Sequence, residues 1–151
     1  MGVKFTAQSV ANALVASTTR TQIQLIAATN APFVVCGYSV SFDGVSALTP
    51  VRIQLARQTS AGTTGSSPTI YNYGSSGLTA QTTAAKAFSS TEPTTTDILE
   101  DDYFPVNGGC FKVWYPLGRE PYCASAGRLA IIVITPSGVT PNCNAGIVWE
   151  E

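Results

Sequence analysis

Apolar and polar positions alternate with a period of two along most of this chain, and Gly, Pro, Asn and Asp interrupt the alternation at short intervals. From Thr19 to Ala27, Ile23 and Leu25 alternate with Gln22 and Gln24. From Phe33 to Phe42, one side carries Cys36, Tyr38, Val40 and Phe42, and the other Gly37, Ser39 and Ser41. From Pro50 to Gln58, Val51, Ile53 and Leu55 point inward, and Arg52 and Gln54 outward. Successive side chains of a strand point to opposite faces, so each stretch predicts a half-buried strand. Thr82 to Ser89, Thr96 to Phe104 and Cys110 to Tyr115 add three more, the last with Phe111 and Tyr115 on one face and Trp114 on the other. Packing in the core is the expected place for Trp114.

The most informative stretch is Gly127 to Glu151. Leu129 to Ile134 is unbroken and rich in β-branched residues, the pattern of a strand buried on both faces. Pro136, Ser137 and Gly138 end it, and Ala145 to Glu150 follows, with Ile147 and Trp149 facing the core. We read these as two strands around one turn. The second face of the first strand is then covered by another sheet or by another subunit. Val3 to Val10 is a weaker stretch, so residues 1–18 read as an N-terminal arm or edge strand and residues 19–151 as one domain.

No amphipathic helix pattern of useful length occurs. About eight strands separated by Gly/Pro turns read as an all-β fold, an antiparallel β-sandwich or jelly roll. Residues 58–85 carry no charge and are rich in Ser, Thr and Gly. They predict a long surface loop with one or two short strands. Tyr71 and Tyr73 within it make the loop a candidate contact surface, because Tyr among Ser, Gly and Asn gives adaptable binding area at low entropy cost.

Composition changes the picture in one respect. Charged residues are 11% of the 151, against about 25% in an average domain. Ser, Thr, Ala, Gly and Gln take their place. Free soluble domains keep charged surfaces, so the deficit fits either an extracellular-style β protein or a subunit whose faces are covered in an assembly. Net charge is −1 and the basic residues are scattered, which argues against a nucleic-acid partner. No apolar run reaches the roughly 20 residues of a membrane span. The N-terminal stretch is too short and polar for a signal peptide.

Candidate chemistry is sparse. There is no His, and no phosphate-loop, dinucleotide or nucleophile-elbow motif. Cys36, Cys110, Cys123 and Cys143 lack C-x-x-C spacing. Cys36 and Cys110 read as small buried hydrophobes. A Cys110–Cys123 or Cys123–Cys143 disulfide is open, with reduced thiols the default. Asp97, Glu100, Asp101 and Asp102 form one acidic cluster, read as a solvated strand edge ahead of a Ca²⁺ site. Arg119 and Arg128 flank the last strands and are candidate interface residues, pairing with Glu120, Glu150 or the C-terminal carboxylate. We expect no catalytic site, no metal and no cofactor.

The runs TTRTQIQLIAA, FVVCGYSVSFDG, PVRIQLARQTSAGT, TEPTTTDILEDDYFPVNGGCFKVWYPLGRE, GRLAIIVITP and GIVWEE, in that order, resemble small jelly-roll virion proteins of tailed bacteriophages. The resemblance covers most of the chain from about Thr18. It implies a jelly-roll domain that decorates or cements the capsid. Such a protein binds the outer surface of a shell of major capsid protein, commonly as a homotrimer, after assembly in the host cytoplasm. The alternative is a trimeric carbohydrate- or receptor-binding sandwich of a phage tail or fibre. Tyr71, Tyr73 and Trp114 would be its stacking platforms.

Overall fold

The structure is a computed structural model that describes residues 2–74, 77–88 and 90–151. Met1, Ser75, Ser76 and Ser89, on which parts of the expected arm, loop and strand fall, lie outside the described residues. All regular elements among the described residues are strands. In chain order they are β1 (Lys4–Gln8), β2 (Asn12–Ala13), β3 (Thr19–Ile26), β4 (Phe33–Phe42), β5 (Val51–Gln58), β6 (Thr64–Ser66) and β7 (Ile70–Asn72). Then come β8 (Thr83–Phe88), β9 (Thr95–Phe104), β10 (Gly109–Trp114), β11 (Tyr122–Cys123), β12 (Arg128–Ile134) and β13 (Asn142–Glu150).

They make a sandwich of two antiparallel sheets. The front sheet runs β10-β4-β13-β1-β7, with β11 beside β4 and β2 beside β13. The back sheet runs β6-β8-β3-β12-β5-β9. The alternating apolar positions meet between the sheets. Phe5, Val35, Val40, Ile147 and Trp149 come from the front, and Ile23, Leu25, Ile53, Leu55, Leu129 and Ile131 from the back. Burying each such side chain contributes about 1.5–3 kcal/mol.

The last two strands are not a hairpin. β12 is paired on one side by β3 and on the other by β5. It has no free edge for β13, which crosses to the middle of the front sheet and pairs with β4 and β1. Each strand therefore organises one sheet.

The chain itself covers the second face of β12. Gln24, Ala130 and Ala56 stand in one register row on the outer side of the back sheet, and all three are buried. The reason lies in connectivity. Strand β8 lies on one side of β3, while β9 is the far edge of the same sheet. The link between them must pass β3, β12 and β5. The link after β5 passes the same way in reverse, and the two pair with each other, Thr59 N–H donating to Thr94 O at 2.9 Å and Thr63 N–H to Thr91 O at 2.8 Å. Beneath them the glutamines find partners. Gln24 Nε2 donates to Gln58 Oε1 at 2.7 Å and to Ser60 O at 3.0 Å, and Gln58 Nε2 donates to Thr21 Oγ1 at 3.0 Å. Buried amides need such partners; the Gln24 Oε1 acceptor is left without one among the described residues.

Glu92 fastens this strap. Its carboxylate accepts from Thr21 N–H at 2.8 Å, where a register shift opens the β3–β12 ladder, and from the Arg20 guanidinium at 3.2 Å. Glu92→Ala is expected to lower stability by about 1–3 kcal/mol by orphaning the Thr21 N–H. Glu92→Gln, which keeps an acceptor oxygen, should lose less. Urea unfolding of both variants checks the order, and equal losses would assign the effect to the ion pair instead.

The N-terminal segment is neither arm nor edge. β1 pairs with β13 on one side and β7 on the other. Phe5 and Ala7 are needed under the sheet, at 2% and 0% exposure. The uncharged stretch after β5 holds two short strands, β6 in the back sheet and β7 in the front, and leads into β8 of the back sheet. No helix among the described residues is long and apolar enough to cross a membrane.

Candidate functional site

The outer face of the front sheet gathers exposed aromatic rings. Register places Trp114, Gly37, Val148, Thr6 and Tyr71 in one row across β10, β4, β13, β1 and β7. Four strand spacings separate the two rings, roughly 19 Å. A neighbouring row holds Tyr122, Val34, Glu150 and Lys4, and Tyr73 follows beside Lys4, donating its N–H to Lys4 O at 2.7 Å. On the other side run Lys112, Ser39, Gly146 and Gln8. Four rings at 49–63% exposure thus rim a floor of Gly, Ser, Thr and Val.

Gly37 explains how Trp114 lies. A Cβ there would stand 2.6 Å from Val113 O and 2.7 Å from the Trp114 ring. The missing side chain lets the indole lie down over β4. The Lys112 ammonium sits 5.2 Å from the indole centroid, a cation–π arrangement. The core expectation for Trp114 is corrected here. Phe111, Val113 and Tyr115 of the same stretch pack on the core side, so period two sends Trp114 outward.

Several depressions indent this face. One of about 580 Å³ lies among Lys4, Tyr73, Leu117 and Glu150. A second, about 390 Å³, lies among Thr6, Gln8, Val10, Tyr71 and Lys86. A third, about 130 Å³, lies between Tyr73 and Trp114 over Ser39 and Gly146. Val10 is 60% exposed at φ +62°. That is a strained backbone for a β-branched residue.

The front face has Lys4 and Lys112 against Glu150, which pairs with Lys4 at 3.9 Å, and Lys86 of β8 reaches its rim, donating to Ser9 O at 2.7 Å. The back sheet's edge strand β9 has Asp97, Glu100, Asp101 and Asp102. Glu100 accepts from the Tyr38 hydroxyl at 2.8 Å, and burial together with that carboxylate pushes the Tyr38 pKa well above the usual phenol range. Asp101 forms an ion pair with Arg52, whose hydrogen bonds hold its carboxyl below the usual range. No group of His, Cys, Asp or Glu among the described residues is arranged to hold a metal ion.

Of the candidate interface residues, Tyr71 and Tyr73 share the front face. Arg119 is exposed in the turn after β10, its N–H closing on Pro116 O at 3.0 Å. Arg128 lies apart, on the outer side of the back sheet, where it donates to Thr59 O at 3.4 Å. Neither arginine forms an ion pair among the described residues; Glu150 takes Lys4 instead. Tyr122 and Lys112 were not singled out by sequence. The only signal for either was its place in a period-two alternation.

All four thiols are free. Burial raises the Cys36 thiol pKa and pushes Cys123 up to about 11 and Cys143 to about 12. Cys110, expected in the core, is exposed instead, because it occupies an outward position of edge strand β10. In dilute native protein a maleimide is expected to alkylate Cys110 alone, and the other three only after denaturation. Peptide mass spectrometry reads the result; fast native labelling of Cys143 would contradict this packing.

No known protein family, curated protein or solved structure matches the chain. The face itself offers aromatic area, small residues and few charges. Among the described residues it brings together no paired nucleophile and base. This is the composition of a binding surface.

Proposed function

We propose that this chain is a capsid decoration (cement) protein of a tailed bacteriophage. It binds the outer surface of the shell of major capsid protein as a homotrimer, and it acts by contact rather than catalysis. The observation that carries this reading is the front face: four exposed aromatic rings around a small-residue floor, on a chain with only 11% charged residues. Apolar surface so gathered is costly to leave in water and marks an interaction site. The strand order supports a jelly roll. The longer strands form β10-β4-β13-β1 and β3-β12-β5-β9, and the chain passes from one sheet to the other at β3 to β4, β4 to β5, β9 to β10 and β12 to β13. A trimer touching several shell subunits gains strength from multivalency even where each contact is weak.

The copy number of the chain in purified particles tests the reading. A simple ratio to the major capsid protein is the expected result. Absence from particles overturns it. A second reading, a trimeric carbohydrate- or receptor-binding sandwich of a tail or fibre, is favoured by one observation: the indole of Trp114 lies over Gly37 and is 49% exposed, so it offers ring surface for a sugar to stack on. A handful of copies per particle, with saccharide binding lost on Tyr73→Ala, would select it.

A further inference from the structure

We infer that the aromatic front face of one copy docks against the acidic β9 flank of the next copy, as a head-to-tail contact. The inference rests on the homotrimer reading and names the two surfaces that make it.

Charge decides between the ways two copies can meet. The front face carries Lys4 and Lys112 against Glu150, with Lys86 of β8 reaching its rim and Arg119 exposed beside Glu120 beyond the end of β10, a positive balance. Front face against front face would bring two positive surfaces together around a twofold axis. The β9 flank is the opposite. Asp97 and Asp102 are exposed there, and no ion pair holds either of them among the described residues. Ile98 and Tyr103 of the same strand are exposed at 53% and 68%. Ile98 and Tyr103 stand on the other side of β9 from Asp97 and Asp102, Tyr103 lies beneath Arg52, and Arg57 is opposite Asp97 in register; the four carboxylates of β9 still outnumber the two arginines of β5, so the flank is negative on balance, while the aromatic face is positive on balance. Such complementarity sets register and excludes the like-charged pairing.

The flank is not built for strand addition. β9 is a ten-residue edge strand, with two register shifts against β5. Bulges and charges are the devices that keep an edge from pairing with a free strand. Contact at β9 is therefore made by side chains.

A contact that uses two different patches is heterologous, and it forms a ring or a filament according to its rotation; the homotrimer reading takes the ring.

The test is charge reversal in the full chain. Molar mass is read by light scattering across a dilution series. Lys112→Glu with Arg119→Glu reverses the face, and Asp97→Lys with Asp102→Lys reverses the flank. Each pair is expected to weaken association by about 10- to 100-fold. The chain with all four changes is expected to regain most of it. Circular dichroism confirms that each variant folds; a pair that does not fold is replaced by Lys112→Gln with Asp97→Asn, each expected to weaken association by about threefold or more. An assembly that neither reversal weakens overturns the inference and leaves the homotrimer reading standing. Loss in the face variant without rescue in the combined chain assigns a face-to-face contact and likewise overturns it. A wild-type chain that is monomeric throughout the series overturns both.

Discussion

Replacing Trp149 by alanine is expected to cost about 3–5 kcal/mol of folding stability. The total for a domain of this size is about 5–15 kcal/mol, so the variant should be close to unfolding at 37 °C. Trp149 has no exposed surface. It stands on β13 in the middle of the front sheet, with the Phe5 ring 6.0 Å away. Alanine leaves a cavity whose walls belong to two sheets and cannot collapse together. Trp149→Phe should cost much less. It keeps a ring, and it removes an indole N–H that has no hydrogen-bond partner among the described residues, which costs about 1–3 kcal/mol when buried. Urea unfolding followed by circular dichroism measures both. A loss below about 1 kcal/mol in the alanine variant would mean that the sheet is not anchored there.

The other tryptophan should behave in the opposite way. Trp114→Ala is expected to leave the unfolding free energy within about 1 kcal/mol of wild type, as substitutions on exposed surface do. On the homotrimer reading, association should weaken by at least about 2 kcal/mol, roughly 30-fold, because a large, exposed Trp ring buried in a contact behaves as a hot spot. The ring is 49% exposed, and beneath it lies Gly37, where no side chain competes for the space. Sedimentation velocity measures the association and urea unfolding the stability. If stability falls and association does not, Trp114 is a packing residue and the front face loses its claim to be the binding surface. Tyr71→Ala, at the opposite rim, offers the same comparison without disturbing an aromatic ring that lies on the sheet.

Period two was legible because it is a local property. It placed Val51, Ile53 and Leu55 of β5 inward, and Ile147 and Trp149 of β13. It also separated Trp114 from Phe111 and Tyr115. Choosing the core for Trp114 failed because residue type was weighed above position: a large aromatic residue is usually buried, but an edge strand has only one covered face. Tyr71 and Tyr73 were visible as aromatic residues in an uncharged stretch. That they share a face with Trp114 and Tyr122 was not visible, since those rings are brought together by register across five strands.

The sequence by itself determined that this protein is built of strands, which apolar side chains of β3, β5 and β13 face the core, and that no histidine or nucleotide-binding motif is present. Those features follow from residue chemistry and from spacings of a few residues. The tertiary structure alone decided that β12 and β13 lie in different sheets, that β1 is an interior strand, and that the chain's own crossing segments cover the second face of β12. It alone placed Arg128 on the sheet away from the aromatic face. Strand pairing joins residues more than a hundred positions apart, as with Phe5 and Trp149. Their meeting depends on which sheet edges earlier strands have left free, and no local pattern carries that information.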